Sequence, residues 1–217
     1  ADIGFIINSA AEKLTVVDEN GKLIDNQLLL MIMTDLFLRI HPAHRIAVPV
    51  AATMGIEEIA SKYGVEVLRV RNSHLAMMEA FQRGGIDYVG GTRGGFIFPT
   101  FQLGTDAVLA AIYMLEMLAK QKVSLAELRG EFENYLRAEI SVPCPWAKKG
   151  QVMRKLISFT DNKNRQLIDG VRVIENGGSV LIAPDNLAAA FNISAESESK
   201  ESVDKMITQY QTLIEEA

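Results

Sequence analysis

Cysteine is all but missing from this 217-residue sequence: Cys144 stands alone, so no internal disulfide can form, and a reducing, cytoplasmic setting is the expectation. Long apolar runs are missing too. The longest, Leu28–Met33, lies between Asp25 and Asp35 and falls far short of the ~20 residues a bilayer-spanning helix needs, so no membrane partner is expected. There is no basic excess either. With 22 Lys+Arg against 27 Asp+Glu the net charge is −5, which gives nucleic acid nothing to respond to. No initiator Met and no signal peptide open the chain. The apolar run that begins near residue 3 reads as a buried strand in need of earlier chain beside it, so a piece of a larger protein is expected. No repeat or low-complexity segment is found. What remains is the balance of a globular protein, 48% hydrophobic and 23% charged, long enough to bury a core.

Gly4–Ile7 is a short β-type run. Leu14–Val17 and Lys22–Ile24 flank Asp18-Glu-Asn-Gly21, where Asn-Gly supplies the positive φ of a hairpin turn. Asp25 can cap a helix to about Ile40, stopped by Pro42. A strand over 45–50, a helix capped by Thr53 and ended at Gly64, a strand over 65–70, a helix capped at Asn72 or Ser73 running to Arg83, and a strand over 86–89 follow in turn. That alternation predicts βαβ units around a parallel sheet. Gly90-Gly-Thr-Arg-Gly-Gly-Phe96 is a glycine-rich loop, followed by a helix over 104–120. Ser124-Leu-Ala-Glu127 is a capping box.

Ala138–Val142 reads as extended, and Pro143-Cys-Pro145 with Lys148-Lys-Gly150 has the composition of an exposed linker. Beyond it come a helix over 151–159 and strands over 167–174, 179–182 and 190–195, with a turn at Glu175-Asn-Gly-Gly178. A last helix over 199–216 gathers Val203, Met206, Ile207, Tyr210, Leu213 and Ile214 on one face.

Three loops in this order resemble those of the α-D-phosphohexomutases, the phosphomannomutase/phosphoglucomutase superfamily. The first is Asp2-Ile-Gly-Phe-Ile-Ile-Asn-Ser-Ala-Ala-Glu-Lys-Leu-Thr-Val-Val-Asp-Glu-Asn-Gly21, where the family carries three magnesium-binding aspartates and an arginine. The aspartates become Asn8, Ala10 and Glu12 and the arginine Lys13, leaving one carboxylate where a hard cation wants several. The second is the sugar-recognition loop, Gly90–Phe96. Gly91, Thr92, Arg93 and Gly94 are the remnant of that loop: its leading glycines survive, and the family's glutamate, serine and histidine are replaced by Thr92, Gly94 and Phe96. The third is the phosphate loop at 183–194. Its arginine, serine and threonine become Ala183, Asp185 and Leu187; Pro184 persists, and Asn186 stands at the usual glycine.

The resemblance implies a last strand and hairpin of a preceding α/β domain over 1–24. A three-layer α/β/α phosphohexomutase-type domain over 25–145 and a small α+β domain over 151–217 would follow. It implies a carbohydrate-metabolism protein, an isomerase by ancestry. No catalytic residue, metal or cofactor is expected in this chain, although active members use magnesium. The nucleophilic serine would lie upstream. The expected function is therefore a degenerate structural or regulatory module, a C-terminal part of a sugar-1-phosphate nucleotidylyltransferase fusion being one form. The alternative is half of a working hexose-phosphate mutase. The partners implied are the N-terminal part of the same protein and, at most weakly, a sugar phosphate; self-association stays open. Remaining candidates have plainer readings. His41 and His44 flank a proline that breaks helical alignment, and His74 follows a helix cap. Cys144 is an inert thiol, the basic cluster Lys148, Lys149, Arg154, Lys155, Lys163 and Arg165 is solvated charge, and the nine methionines pack helices.

Overall fold

A computed structural model describes residues 1–216 apart from 83, 134, 135 and 176. The predicted helix end at Arg83 and turn residue Asn176 lie outside the described residues. The chain divides into two compact units, Ala1–Glu133 and Asn134–Ala217. Among the described residues no helix is long and apolar enough to cross a membrane.

The first unit opens with a three-stranded antiparallel sheet of β1 (Gly4–Ile7), β2 (Leu14–Val17) and β3 (Leu23–Ile24). The β2–β3 turn places Gly21 at φ 74°, as Asn-Gly predicts, and Asp18 accepts the Asn20 and Lys22 N–H groups. Helix α1 (Asn26–Ile40) is capped by Asp25, whose carboxylate accepts from Gln27 and Leu28 N–H, and it is buried from Leu28 to Leu38. The second sheet has the order β5-β4-β6-β7. β4 (Arg45–Pro49) runs parallel to β5 (Glu66–Val70) and β6 (Tyr88–Gly90), and β7 (Phe96–Ile97) is antiparallel at the edge.

Alternation along these strands sorts the side chains into two layers. Ala47, Val70, Val89 and Ile97 pack on helix α3 (His74–Gln82) through Met77 and Ala80. On the other face Tyr88 stacks on Phe37 of α1 at 4.9 Å, and Arg69 reaches helix α2 (Gly55–Lys62) through a 2.8 Å bond to Glu57. The parallel sheet is what the alternation of elements predicts, and the helices on its two faces make the α/β/α sandwich that the resemblance implies. Helices α4 (Ala107–Gln121) and α5 (Leu125–Phe132) complete the unit, α5 opening on the reciprocal Ser124–Glu127 capping box.

The second unit is one antiparallel sheet, β8-β12-β11-β10-β9, with helices α6 (Lys149–Phe159) and α7 (Lys200–Glu215). Its strands are β8 (Leu136–Pro143), β9 (Arg165–Gln166), β10 (Val171–Glu175), β11 (Gly178–Pro184) and β12 (Ala190–Ser197). The core joins Val142, Val171, Val173, Val180, Ile182, Phe191 and Ile193 to Val203, Met206, Tyr210 and Ile214 of α7, with Ile207 and Leu213 beside them.

Three expectations need correction. The extended stretch read at 138–142 is β8, and it pairs with β12 over its whole length, from Leu136↔Ser197 to Pro143↔Ala190. The boundary therefore falls at 133/134, ahead of residues 145–150. Those residues are built into the second unit: Cys144 is buried with its N–H on Ala189 O, a 3₁₀ turn spans Trp146–Lys148, and α6 begins at Lys149. The strand read over 167–174 is split, because Asp169 and Gly170 take φ 55° and 159°, which a strand cannot hold. The glycine-rich loop runs into β7 rather than directly toward a helix, so it is a hairpin connection.

Candidate functional site

Backbone hydrogen bonds stitch three segments of the first unit around one hollow. Leu14 N–H donates to Gly94 O and Ala107 N–H to Ala11 O, both at 2.8 Å; these tie the 8–13 turn to the glycine hairpin and to the start of α4. Gly94 sits at φ 76°, where an added Cβ would lie 2.2 Å from Leu14 O, so only glycine fits. The cavity of about 210 Å³ left between them is lined by Glu12 and Lys13 of the turn, Asn72, Ser73, His74 and Met77 at the start of α3, the 91–95 backbone with Thr92 and Arg93, and Thr105.

The structure thus brings the first two sequence-read loops together. Gly91 N–H closes the hairpin on Gly95 O at 2.8 Å. Thr92 Oγ1 donates to Asn72 Oδ1 at 3.3 Å, and His74 Nε2 lies 3.1 Å from Thr105 Oγ1. Ser73 caps α3 by accepting Ala76 N–H, as read from the sequence. Met77 and Thr105 carry no local motif that would have marked them, and Asn72 was marked only as a helix cap; the fold delivers all three to the cavity.

The 8–13 turn does not suit magnesium. Asn8 Oδ1 is engaged by the N–H groups of Glu12 and Lys13, each at 2.8 Å. Ala10 offers no oxygen in its side chain, and Glu12 is the single carboxylate at the three positions. Among the described residues no group of three or more His, Cys, Asp or Glu is placed to hold a metal.

The third loop, in the second unit, is filled from within. Asp185 Oδ1 accepts the N–H groups of Leu187 at 2.7 Å and Ala188 at 2.9 Å, and Oδ2 accepts from Asn192 Nδ2 at 3.0 Å. The Leu187 N–H above all, then Asn192 and the Ala188 N–H, holds the Asp185 carboxyl below the usual aspartate range. Lys149 Nζ donates to the carbonyls of Asp185 and Ala188 while lying 3.6 Å from the Trp146 ring centroid. Pro184 closes β11 opposite Phe191, and Asn186 is not among the described residues of positive φ, so the turn makes no use of its tolerance.

The basic cluster is less solvated than its composition suggests. Besides Lys149, Lys163 pairs with Glu175 at 2.6 Å beside Tyr210, and Arg165 pairs with Asp161 at 2.6 Å. Burial first, then the Glu175 charge, raises the Tyr210 hydroxyl pKa. His41 stacks on Phe37 at 4.7 Å, and the His44 N–H donates to Asp87.

A βαβ sandwich with a glycine hairpin at its sheet edge, followed by a small antiparallel α+β unit, places the chain in the α/β class with a second, smaller α+β unit. Residues 25–135, just over half of the chain, match the family described as phosphoglucomutase/phosphomannomutase, alpha/beta/alpha domain III, and the chain belongs to that family. "Probable phosphoglucosamine mutase" of Pyrococcus abyssi is 27% identical over 221 residues, spanning all of this chain and 49% of that protein. The protein of the same name from Methanosarcina barkeri is 29% identical over 218 residues, again all of this chain and 49% of its own length. The fold is also that of a phosphoglucomutase/phosphomannomutase family protein from Burkholderia thailandensis, at TM-score 0.83 and 22% identity over 98% of this chain and 46% of that one. The chain spans about half the length of the curated relatives it matches.

Proposed function

We propose that this chain is a phosphohexomutase-type module that has kept its scaffold and lost mutase catalysis, and that it serves its protein in a structural or regulatory capacity. Its first partner is the N-terminal part of the same protein, and a sugar-1-phosphate nucleotidylyltransferase is the fusion this reading favours. One observation carries the reading. The turn that would cradle a substrate phosphate holds its own carboxylate, Asp185, on the Leu187 and Ala188 N–H groups. A phosphate dianion entering there would have to displace an anion already bonded and would meet its charge. The 8–13 turn supports the same reading, because its Asn8 oxygen is bonded within the turn.

The names of the relatives favour a second reading, half of a working mutase whose nucleophile lies in the N-terminal half. The full-length protein decides between them. Given glucosamine, glucose or mannose 6-phosphate with the matching bisphosphate and magnesium, it should form no 1-phosphate above a buffer blank by phosphorus NMR. Turnover that scales with protein concentration overturns the proposal.

A further inference from the structure

Helix α4 carries two apolar faces. Its inward face, Ala107, Ala110, Ala111, Met114 and Met117, is buried in the first unit. On the opposite side Val108, Ile112 and Leu115 stand 48%, 54% and 45% exposed, and Ala119, one turn further on, is exposed as well. Among the described residues every other α-helix exposes one large apolar side chain at most. A helix that is apolar on both sides is normally covered on both. We propose that this outer stripe is a homodimer seam, on which α4 of a second copy of this chain packs antiparallel.

The positions 108, 112, 115 and 119 follow the four-three-four step of a helix–helix seam. That step reads the same in both directions, which meets the condition that a two-fold interface be complementary to itself. Antiparallel pairing sets Val108 opposite Ala119 and Ile112 opposite Leu115, one residue from each copy, so a bulky side chain meets a small one at each end. Charge selects the direction. Asp106 caps the N-terminal end of α4, and Lys120 and Lys122 stand at its C-terminal end. Antiparallel pairing brings the lysines of one copy beside the aspartate of the other and opposes the helix dipoles; parallel pairing brings lysine to lysine. Glu116 beside the stripe is paired with Lys120 of its own helix and adds no net charge to the seam. Phe101 and Leu103, exposed in the turn before α4, add apolar surface at its N-terminal end. The 15 residues of α4 give a seam only about 22 Å long. A dissociation constant on the order of 100 µM is therefore expected, as for interfaces below about 1,200 Å². None of the four stripe residues lines the first unit's cavity, so mutase turnover would overturn the functional reading and leave this pairing standing.

The test is sedimentation velocity of the full chain, which should pass from monomer to dimer, without larger species, as concentration crosses that value. Ile112→Glu, at an exposed position, should weaken the dimer at least about tenfold and leave the melting temperature of the dilute chain unchanged. Val108→Cys mixed with Ala119→Cys should give a disulfide-linked dimer in air, and neither variant should link to itself, because each thiol faces the other position across the seam. Cys144 is buried and stays out of the reaction. A monomer at every concentration, a dimer untouched by Ile112→Glu, or linkage of either variant to itself rather than to the other overturns the proposal. In the full-length protein, a monomer whose melting temperature falls on Ile112→Glu would mean that other residues of the same chain cover the stripe, and that result overturns it too.

Discussion

The hairpin at 90–96 and the turn at 184–190 both join antiparallel strands, yet one leaves room in front of its backbone and the other fills it. At the first, glycines at 91, 94 and 95 bring the chain close to the 8–13 turn, and the nearby charges are mostly positive and uncommitted. At the second, an acid, an amide and a lysine from α6 occupy the donors and carbonyls of the turn itself. Two connections of similar span thus end differently: a glycine wall leaves a hollow in front of its backbone, and side chains that bond their own backbone leave none.

The largest effect expected from breaking this contrast is at Gly94. Valine there meets both the positive φ and the Leu14 carbonyl, at a cost of about 3 kcal/mol or more. Calorimetry should show the melting of the first unit shifted down and that of the second unchanged; equal shifts would mean that the two do not melt as separate units. Next in size is the reversal of the second turn. Ala183→Arg with Asp185→Ser and Leu187→Thr removes the internal anion and restores donors, so inorganic phosphate should bind at 183–190 with a dissociation constant on the order of 1 mM. Failure to bind would show that the turn, not its side chains, has lost the shape. The smallest effect is acid sensitivity. The folded pKa of Asp185 is lowered, so the stability its bonds confer is complete above the ordinary aspartate range and is lost as pH falls through the folded value. A carboxyl NMR titration should place its midpoint below that range, with the Leu187 and Ala188 amides losing exchange protection together; a midpoint at or above it would mean that these bonds do not persist in solution.

Much of the first unit was legible because its signals are local. Asp25, the Asn20-Gly21 turn, the Ser124–Glu127 box and the strand–helix alternation over 45–90 each specify structure within a few residues. The division between the units was not legible in this way. Alternation along 138–142 tells which side chains face a core, but not which sheet supplies that core. The partner is distant: Ser194 bonds Glu139 across 55 residues of sequence. Pro143, Pro145, Lys148 and Gly150 then gave a linker's composition to a stretch whose Cys144 is buried. The candidate site divides likewise. The glycines, and the single carboxylate among Asn8, Ala10 and Glu12, were visible in the chain, whereas Met77, Thr105 and the Lys149 contacts come from elsewhere in the fold.

The pairing of β8 with β12 also sets a timetable for synthesis. The first strand of the second unit to leave the ribosome is bonded by the last to be made, so Ile140 and Val142 must wait for about 55 more residues before their side of the sheet exists. At ~5–20 residues per second that is on the order of several seconds as a strand with bare edges. The loop it closes is long, which slows productive pairing further. The first unit has long closures of its own, Leu14 on Gly94 and Glu19 on Ala126 across 107 residues, but all of them lie within residues 1–133 and precede the synthesis of β12. A nascent chain stalled before Ala190 would therefore present a finished first unit tethered to an open sheet, a species for chaperones to shield or proteases to remove.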